Sequence, residues 1–77
     1  MDLNNLLIFG RVAETRSFTV AADQLDMSAS AVSKAVSRLE ADIGVLLLHR
    51  STRSVIPTEE GQRLLERIRV RRPVALH

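Results

Sequence analysis

Residues 17–39, SFTVAADQLDMSASAVSKAVSRL, decide how the rest of the chain is read. Phe18, Ala21, Ala22 and Leu25 recur at increments that put them on one side of a short helix, about Phe18 to Leu25. Ser17 stands just before it, where a hydroxyl can satisfy one of the free amides of the first turn. The paired alanines carry a steric message, because two adjacent small inward side chains let a second helix cross closely. Asp26-Met27-Ser28 then breaks the pattern, with Ser28 the N-cap of a longer helix and Met27 placed to pack where the chain turns. That helix runs to about Asp42, with Val32, Ala35, Val36, Leu39 and Ile43 as its buried stripe.

Its other side reads Ser30, Ser33, Lys34, Ser37 and Arg38, and no carboxylate occurs between Met27 and Leu39 although the chain has nine. A solvent-facing helix in such a chain ordinarily mixes both signs of charge. A slim, hydrogen-bonding, positive face suits the major groove of DNA, about 12 Å wide and bordered by phosphates. Taken alone, the face is equally consistent with a serine-rich solvated surface. Its context separates the two readings. A short helix with paired alanines, a three-residue turn and a longer helix with a hydroxyl-and-cation face together spell helix-turn-helix, in which the second helix enters the groove N-terminus first. The dipole and free amides of that N-terminus also attract phosphate.

Working outward, Leu3, Leu6, Leu7, Phe9 and Ala13 recur at helical spacing from about Asp2 to Glu14, and Thr15-Arg16-Ser17 links this first helix to the second. Gly44 can stop the third helix. Val45 to His49 is predicted as a strand, Ser51-Thr52-Arg53-Ser54 as a turn, and Val55-Ile56 as a second strand closed by Pro57. Such a hairpin is a wing, with His49, Arg50 and Arg53 placed to hold the DNA backbone or reach the minor groove. The competing reading is a small exposed hairpin with solvated arginines. Thr58 caps a fourth helix in which Glu59 and Glu60 complement the dipole and Leu64, Leu65 and Ile68 form the apolar stripe. Glu59 with Arg63, and Glu66 with Arg69, are spaced as exposed pairs of small energetic weight.

At 77 residues the chain is about half an average domain, so it is one module or a part of something longer. A core this small leaves stability marginal unless a partner contributes. With no cysteine, disulfides, thiolate catalysis and cysteine-ligated metal sites are excluded, in keeping with a reducing cytoplasm. The longest apolar stretch, Ile43 to Leu48, is too short to cross a bilayer, and no basic n-region precedes an h-region, so a soluble cytoplasmic chain with no membrane partner is expected. Net charge is +2, unevenly placed: residues 1–48 carry four cations and six carboxylates, residues 49–77 seven arginines and three glutamates. The second half thus invites an anionic partner, although a charge run is also what a solvated face looks like. Only His49 and His77 could act as imidazole bases or ligands, neither has an acidic or hydroxyl neighbour at motif spacing, and no phosphate-binding glycine loop occurs. No enzyme, cofactor or metal site is expected.

Over about residues 1–68 the sequence resembles the N-terminal DNA-binding domain of the LysR-type transcriptional regulators. The resemblance rests on Met1-Asp2-Leu3, Phe9, Val12-Ala13-Glu14, Ser17-Phe18-Thr19, Ala21-Ala22 and Leu25. It continues through Ser28, Ala31-Val32-Ser33-Lys34, Leu39-Glu40, Gly44-Val45, His49-Arg50, Arg53 and Thr58-Glu59-Glu60-Gly61, and order and spacing together make it specific. It implies a mostly α fold, a winged helix-turn-helix with a short two-stranded β-hairpin wing and the start of a C-terminal linker helix that pairs two subunits. Residues 1–57 would be the DNA-binding head, 58–72 a linker helix cut short before Pro73, and 73–77 a tail. No effector-binding domain is expected within the chain, so no small-molecule inducer would bind it. Carried over residue by residue, base contacts fall on Ala29, Ser30, Ser33 and Lys34, backbone and wing contacts on Ser17, Thr19, Arg38, His49, Arg50 and Arg53, and dimerisation on Leu64, Leu65 and Ile68. Ala29 departs from the family's common Gln, which removes one bidentate base contact and leaves a methyl group to meet a thymine methyl. Leu46 and Leu48 stand where the family often has a cation and Phe. The expected partners are double-stranded DNA and a second copy of the chain. A rival reading makes residues 58–72 a protein-interaction element that pairs with a longer regulator.

Overall fold

The computed structural model of the chain describes residues 2–51 and 54–70, with the side chains of 69 and 70 excepted. Four helices and one hairpin follow in the order α1 (Leu3–Thr15), α2 (Phe18–Leu25), α3 (Ala29–Ile43), β1 (Leu48–Arg50), β2 (Val55–Pro57) and α4 (Glu59–Val70). It is a mostly helical winged helix-turn-helix.

Every helix starts on a side-chain oxygen that accepts from a free amide of its first turn. Asp2 accepts from the Asn4 N–H at 2.8 Å, Ser17 from Val20 at 3.1 Å, Ser28 from Ala31 at 3.1 Å and Thr58 from Gly61 at 3.0 Å. The first three helices each end on a left-handed residue, Arg16, Asp26 and Gly44, whose backbone N–H returns to a carbonyl of the preceding turn. These devices keep the connections short, so α1, α2 and α3 pack on one another. They enclose Phe9, Val12, Ala13, Ala21, Ala22, Val32, Val36 and Leu39. Leu47, Leu48, Val55 and Leu65 close the same core from the wing and α4. Phe18 and Met27 are half-buried against it.

The apolar stripe of α1 differs from its expected composition. Leu3 and Leu7 are 65% and 54% exposed, and Val12 joins Phe9 and Ala13 inside. At about 100° per residue, Leu3 and Leu7 lie about 120° and 160° around the helix from Phe9, turned away from the side that buries it. Ile43 is on the right face of α3 but 40% exposed, because it lies at the end of the helix, where little packs over it.

The first strand is shorter and later than the apolar run Val45 to His49 predicts. Only Leu48, His49 and Arg50 join the ladder, antiparallel to Pro57, Ile56 and Val55 respectively. The preceding residues have their backbone partners elsewhere. The Leu47 and Leu48 amides donate to Glu40 Oε2 at 2.8 and 3.2 Å, the Leu46 carbonyl accepts from the Thr58 hydroxyl at 2.7 Å, and the Leu47 carbonyl accepts from the Thr58 N–H at 2.9 Å. The segment is thus fastened between the end of α3 and the start of α4 rather than in the sheet.

Candidate nucleic-acid interface

α3 presents one face to the core and one to solvent. Val32, Ala35, Val36 and Leu39 are buried; Ala29, Ser30, Lys34, Ser37 and Arg38 are exposed, and Ser33 is half-buried at the edge. The exposed residues include the start of the helix, so the base-reading candidates Ala29, Ser30 and Lys34 sit together with Ser33 within its first turn and a half. Among the described residues neither Lys34 nor Arg38 has an ion-pair partner, so both ammonium and guanidinium charges are available to an anion. Ser17 and Thr19 open α2, the Ser17 oxygen already engaged as a cap and Thr19 exposed.

On the wing, side chains alternate as strand geometry requires. Leu48 is buried, His49 is exposed opposite exposed Ile56, and Arg50 returns to the Leu48 side opposite buried Val55. His49 therefore faces outward, whereas Arg50 turns back onto the protein. Its Nη1 donates to Ser33 Oγ at 3.0 Å and its Nη2 to Ser37 Oγ at 3.3 Å. Nη2 also stands 3.6 Å from Glu40 Oε1, and the guanidinium carbon lies 4.8 Å from the centroid of the Phe18 ring. One side chain of the wing thus joins α2 and α3 through an ion pair, two hydroxyls and a ring face. Arg53, the other arginine of the expected wing contacts, lies outside the described residues. On either side of it, the Ser51 N–H donates to the Ser54 carbonyl at 3.0 Å and the Ser54 N–H donates to Ser51 Oγ at 3.1 Å.

The sequence assigns no part in the site to two residues central to it. One carboxylate oxygen of Glu40 receives two main-chain amides and the other faces Arg50. Phe18, expected on the apolar side of α2, also carries the guanidinium on its ring face. Their partners are seven to thirty-two residues away, beyond any local period. The alternation of Leu48, His49 and Arg50 was the one available signal that Arg50 points inward.

The three residues expected at a dimer seam have unequal surroundings. Leu65 is 3% exposed within the domain's own core, where it holds α4 to the head, while Leu64 and Ile68 are half-buried. Leu64 borders an open hollow shared with Ile43, Val45 and Leu47. Leu46 is exposed, and Leu48 fills the space under the wing. The Glu59–Arg63 pair forms at 3.5 Å on exposed side chains; the side chain of Arg69 lies outside the described residues. Among the described residues no cluster of metal-ligating side chains occurs, and no helix is long and apolar enough to cross a membrane.

A model of the family described as "Bacterial regulatory helix-turn-helix protein, lysR family" matches residues 3–62. The HTH-type transcriptional regulator PgrR of Escherichia coli (strain K12) is 52% identical over 64 residues, which cover 83% of this chain and 21% of PgrR. The HTH-type transcriptional activator AaeR of the same strain is 50% identical over 60 residues, 78% of this chain and 19% of AaeR. The chain therefore spans about a fifth of the length of these relatives. Among solved structures, the CbnR DNA-binding domain in complex with DNA superposes with a TM-score of 0.86 at 37% identity, covering 91% of this chain and 80% of that one. The BenM DNA-binding domain in complex with catB site 1 DNA gives 0.85 at 37% identity, covering 91% and 79%.

Proposed function

Because the chain belongs to the lysR family of bacterial regulatory helix-turn-helix proteins and is a DNA-binding domain of that family, we propose how it engages double-stranded DNA. The reading is carried by one observation: over residues 29–38 the outer side of α3 combines three hydroxyls with two cations that have no ion-pair partner among the described residues, and no carboxylate occurs in that stretch. In this proposal the N-terminal half of α3 enters the major groove. Ser30, Ser33 and Lys34 contact base edges, and the Ala29 methyl meets a thymine methyl. Thr19, Arg38 and His49 contact the phosphate backbone beside the groove, with Ser17 at the N-terminus of α2 and Arg53 from the wing turn.

The proposal extends to organisation. Residues 1–57 form the DNA-reading head and 58–72 the linker element, of which Glu59–Val70 is α4; residues 71 and 72 and the expected tail, 73–77, lie outside the described residues. Two copies pair along α4 through Leu64 and Ile68, with Leu65 buried at the root of the helix within its own head. A homodimer places two reading helices in successive major grooves, about 34–36 Å apart. The chain acts in the cytoplasm without catalysis, cofactor or bound inducer. Its relatives are regulators whose remaining length lies outside the matched region.

A salt titration tests the reading. Binding of the purified chain to duplex DNA should weaken steeply, with log Kobs falling by about 0.9 per phosphate contacted for each unit of log salt. Binding that ignores salt, or no binding at all, would instead favour the protein-interaction reading of residues 58–72.

A further inference from the structure

Among the described wing residues, Arg50 is the one whose side chain hydrogen-bonds to the reading helix. Its surroundings fit a phosphate grip poorly. Glu40 lies 3.6 Å from the guanidinium and neutralises it, the Phe18 ring covers one of its faces, and two of its N–H groups already meet Ser33 and Ser37. Glu40 is in turn fixed by the Leu47 and Leu48 amides, so the ion pair belongs to a braced unit rather than to two mobile surface chains.

We propose that Arg50 is a positioning residue for base recognition, one that engages the oxygens of Ser33 and Ser37 so that these hydroxyls present their protons to the groove. The proposal rests on the major-groove reading above. A serine hydroxyl has one proton and two lone pairs, and by itself it pairs with either donors or acceptors on a base. When a cationic N–H occupies one lone pair, the oxygen is polarised and its own O–H becomes the better donor. Ser33 would then favour the groove acceptors, purine N7, guanine O6 and thymine O4, over the amino groups of adenine and cytosine. The device also ties the wing to α3, so the hydroxyl direction and the wing angle are set by one side chain. Lysine cannot replace it: a point ammonium lacks the planar fork that spans two serines while stacking on a ring.

The test uses the full 77-residue chain. Sites are selected from random duplexes with the wild type, Ser33→Ala, Arg50→Ala, Arg50→Lys and the Ser33→Ala/Arg50→Ala double variant, and the salt slope of each is measured on the wild-type site. The expected result is that both Arg50 variants lose preference, by about fivefold or more, at the base pair where Ser33→Ala loses it. The double variant should lose no more than Ser33→Ala, and all salt slopes should match the wild type. A slope lower by about 0.9, with base preference kept and binding restored in Arg50→Lys, would make Arg50 a phosphate contact and overturn the proposal. Circular dichroism establishes that each variant folds, and Arg50→Lys decides the matter if Arg50→Ala does not. A wild type that enriches no motif overturns the major-groove reading itself before any variant is compared.

Discussion

Gly61 shows how closely α4 is set against the segment before β1. A methyl group at this position would meet the Leu47 carbonyl oxygen, carbon and α-carbon, all of them main-chain atoms that cannot rotate aside. Gly61→Ala should therefore destabilise the domain by about 1–3 kcal/mol or more. For a domain of this size that is a fall in Tm of about 4–8 °C per kcal/mol, read by thermal unfolding. Gly10→Ala is the control, since its new methyl would sit 3.7 Å from Ile68 Cδ1, an ordinary contact. Relief of the glycine penalty inside α1 should leave Tm unchanged or raise it. Glu40→Ala makes a third case. It strips two half-buried amides of their acceptor and Arg50 of its counter-charge, and should cost about 1–3 kcal/mol. A Tm for Glu40→Ala equal to that of the wild type would show that the braced unit contributes nothing to stability.

At the scale of elements, the second and third helices were legible because every local signal agreed: a hydroxyl cap, an apolar period, a turn and a stop. α2 spans the predicted residues, and α3 starts directly after its predicted Ser28 cap and ends one residue later than expected, at Ile43. The wing strand was harder to place, because an apolar run does not disclose where its main-chain partners are. Those of residues 46–48 come from Glu40 and Thr58, at distances in sequence that no period encodes. The same limit hid the inward turn of Arg50. α3 also carries a prediction of its own. Ser28→Ala removes the acceptor of the Ala31 amide and should cost about 1 kcal/mol in stability, while DNA affinity measured well below Tm keeps its sequence preference. Loss of preference in Ser28→Ala would mean that the cap, and not the exposed face, sets recognition.

For the whole molecule, the uneven charge of the chain now has a structural setting. Within α4 three arginines balance three glutamates, so the cationic excess of the second half falls on Arg50 and Arg53 before that helix and Arg71 and Arg72 after it, while residues 29–38 of α3 carry Lys34 and Arg38 and no carboxylate. On α4, half-buried Leu64 borders a hollow with the exposed apolar side chains of Ile43 and Val45, and half-buried Ile68 borders a second one with Leu7, Gly10 and Leu25. If α4 pairs two copies, Ile68→Glu should abolish paired half-sites among selected sequences while single half-sites are still bound, and sedimentation should show the monomer. Paired half-sites kept by Ile68→Glu would place the seam elsewhere. The central claim, that the N-terminal half of α3 reads bases, is tested most directly by site selection from random duplexes with the wild type and Lys34→Ala in parallel. The account predicts one enriched motif for the wild type and, for Lys34→Ala, the same motif with preference lost at one base pair of each half-site. An unchanged motif with affinity lowered equally on all sequences would contradict it.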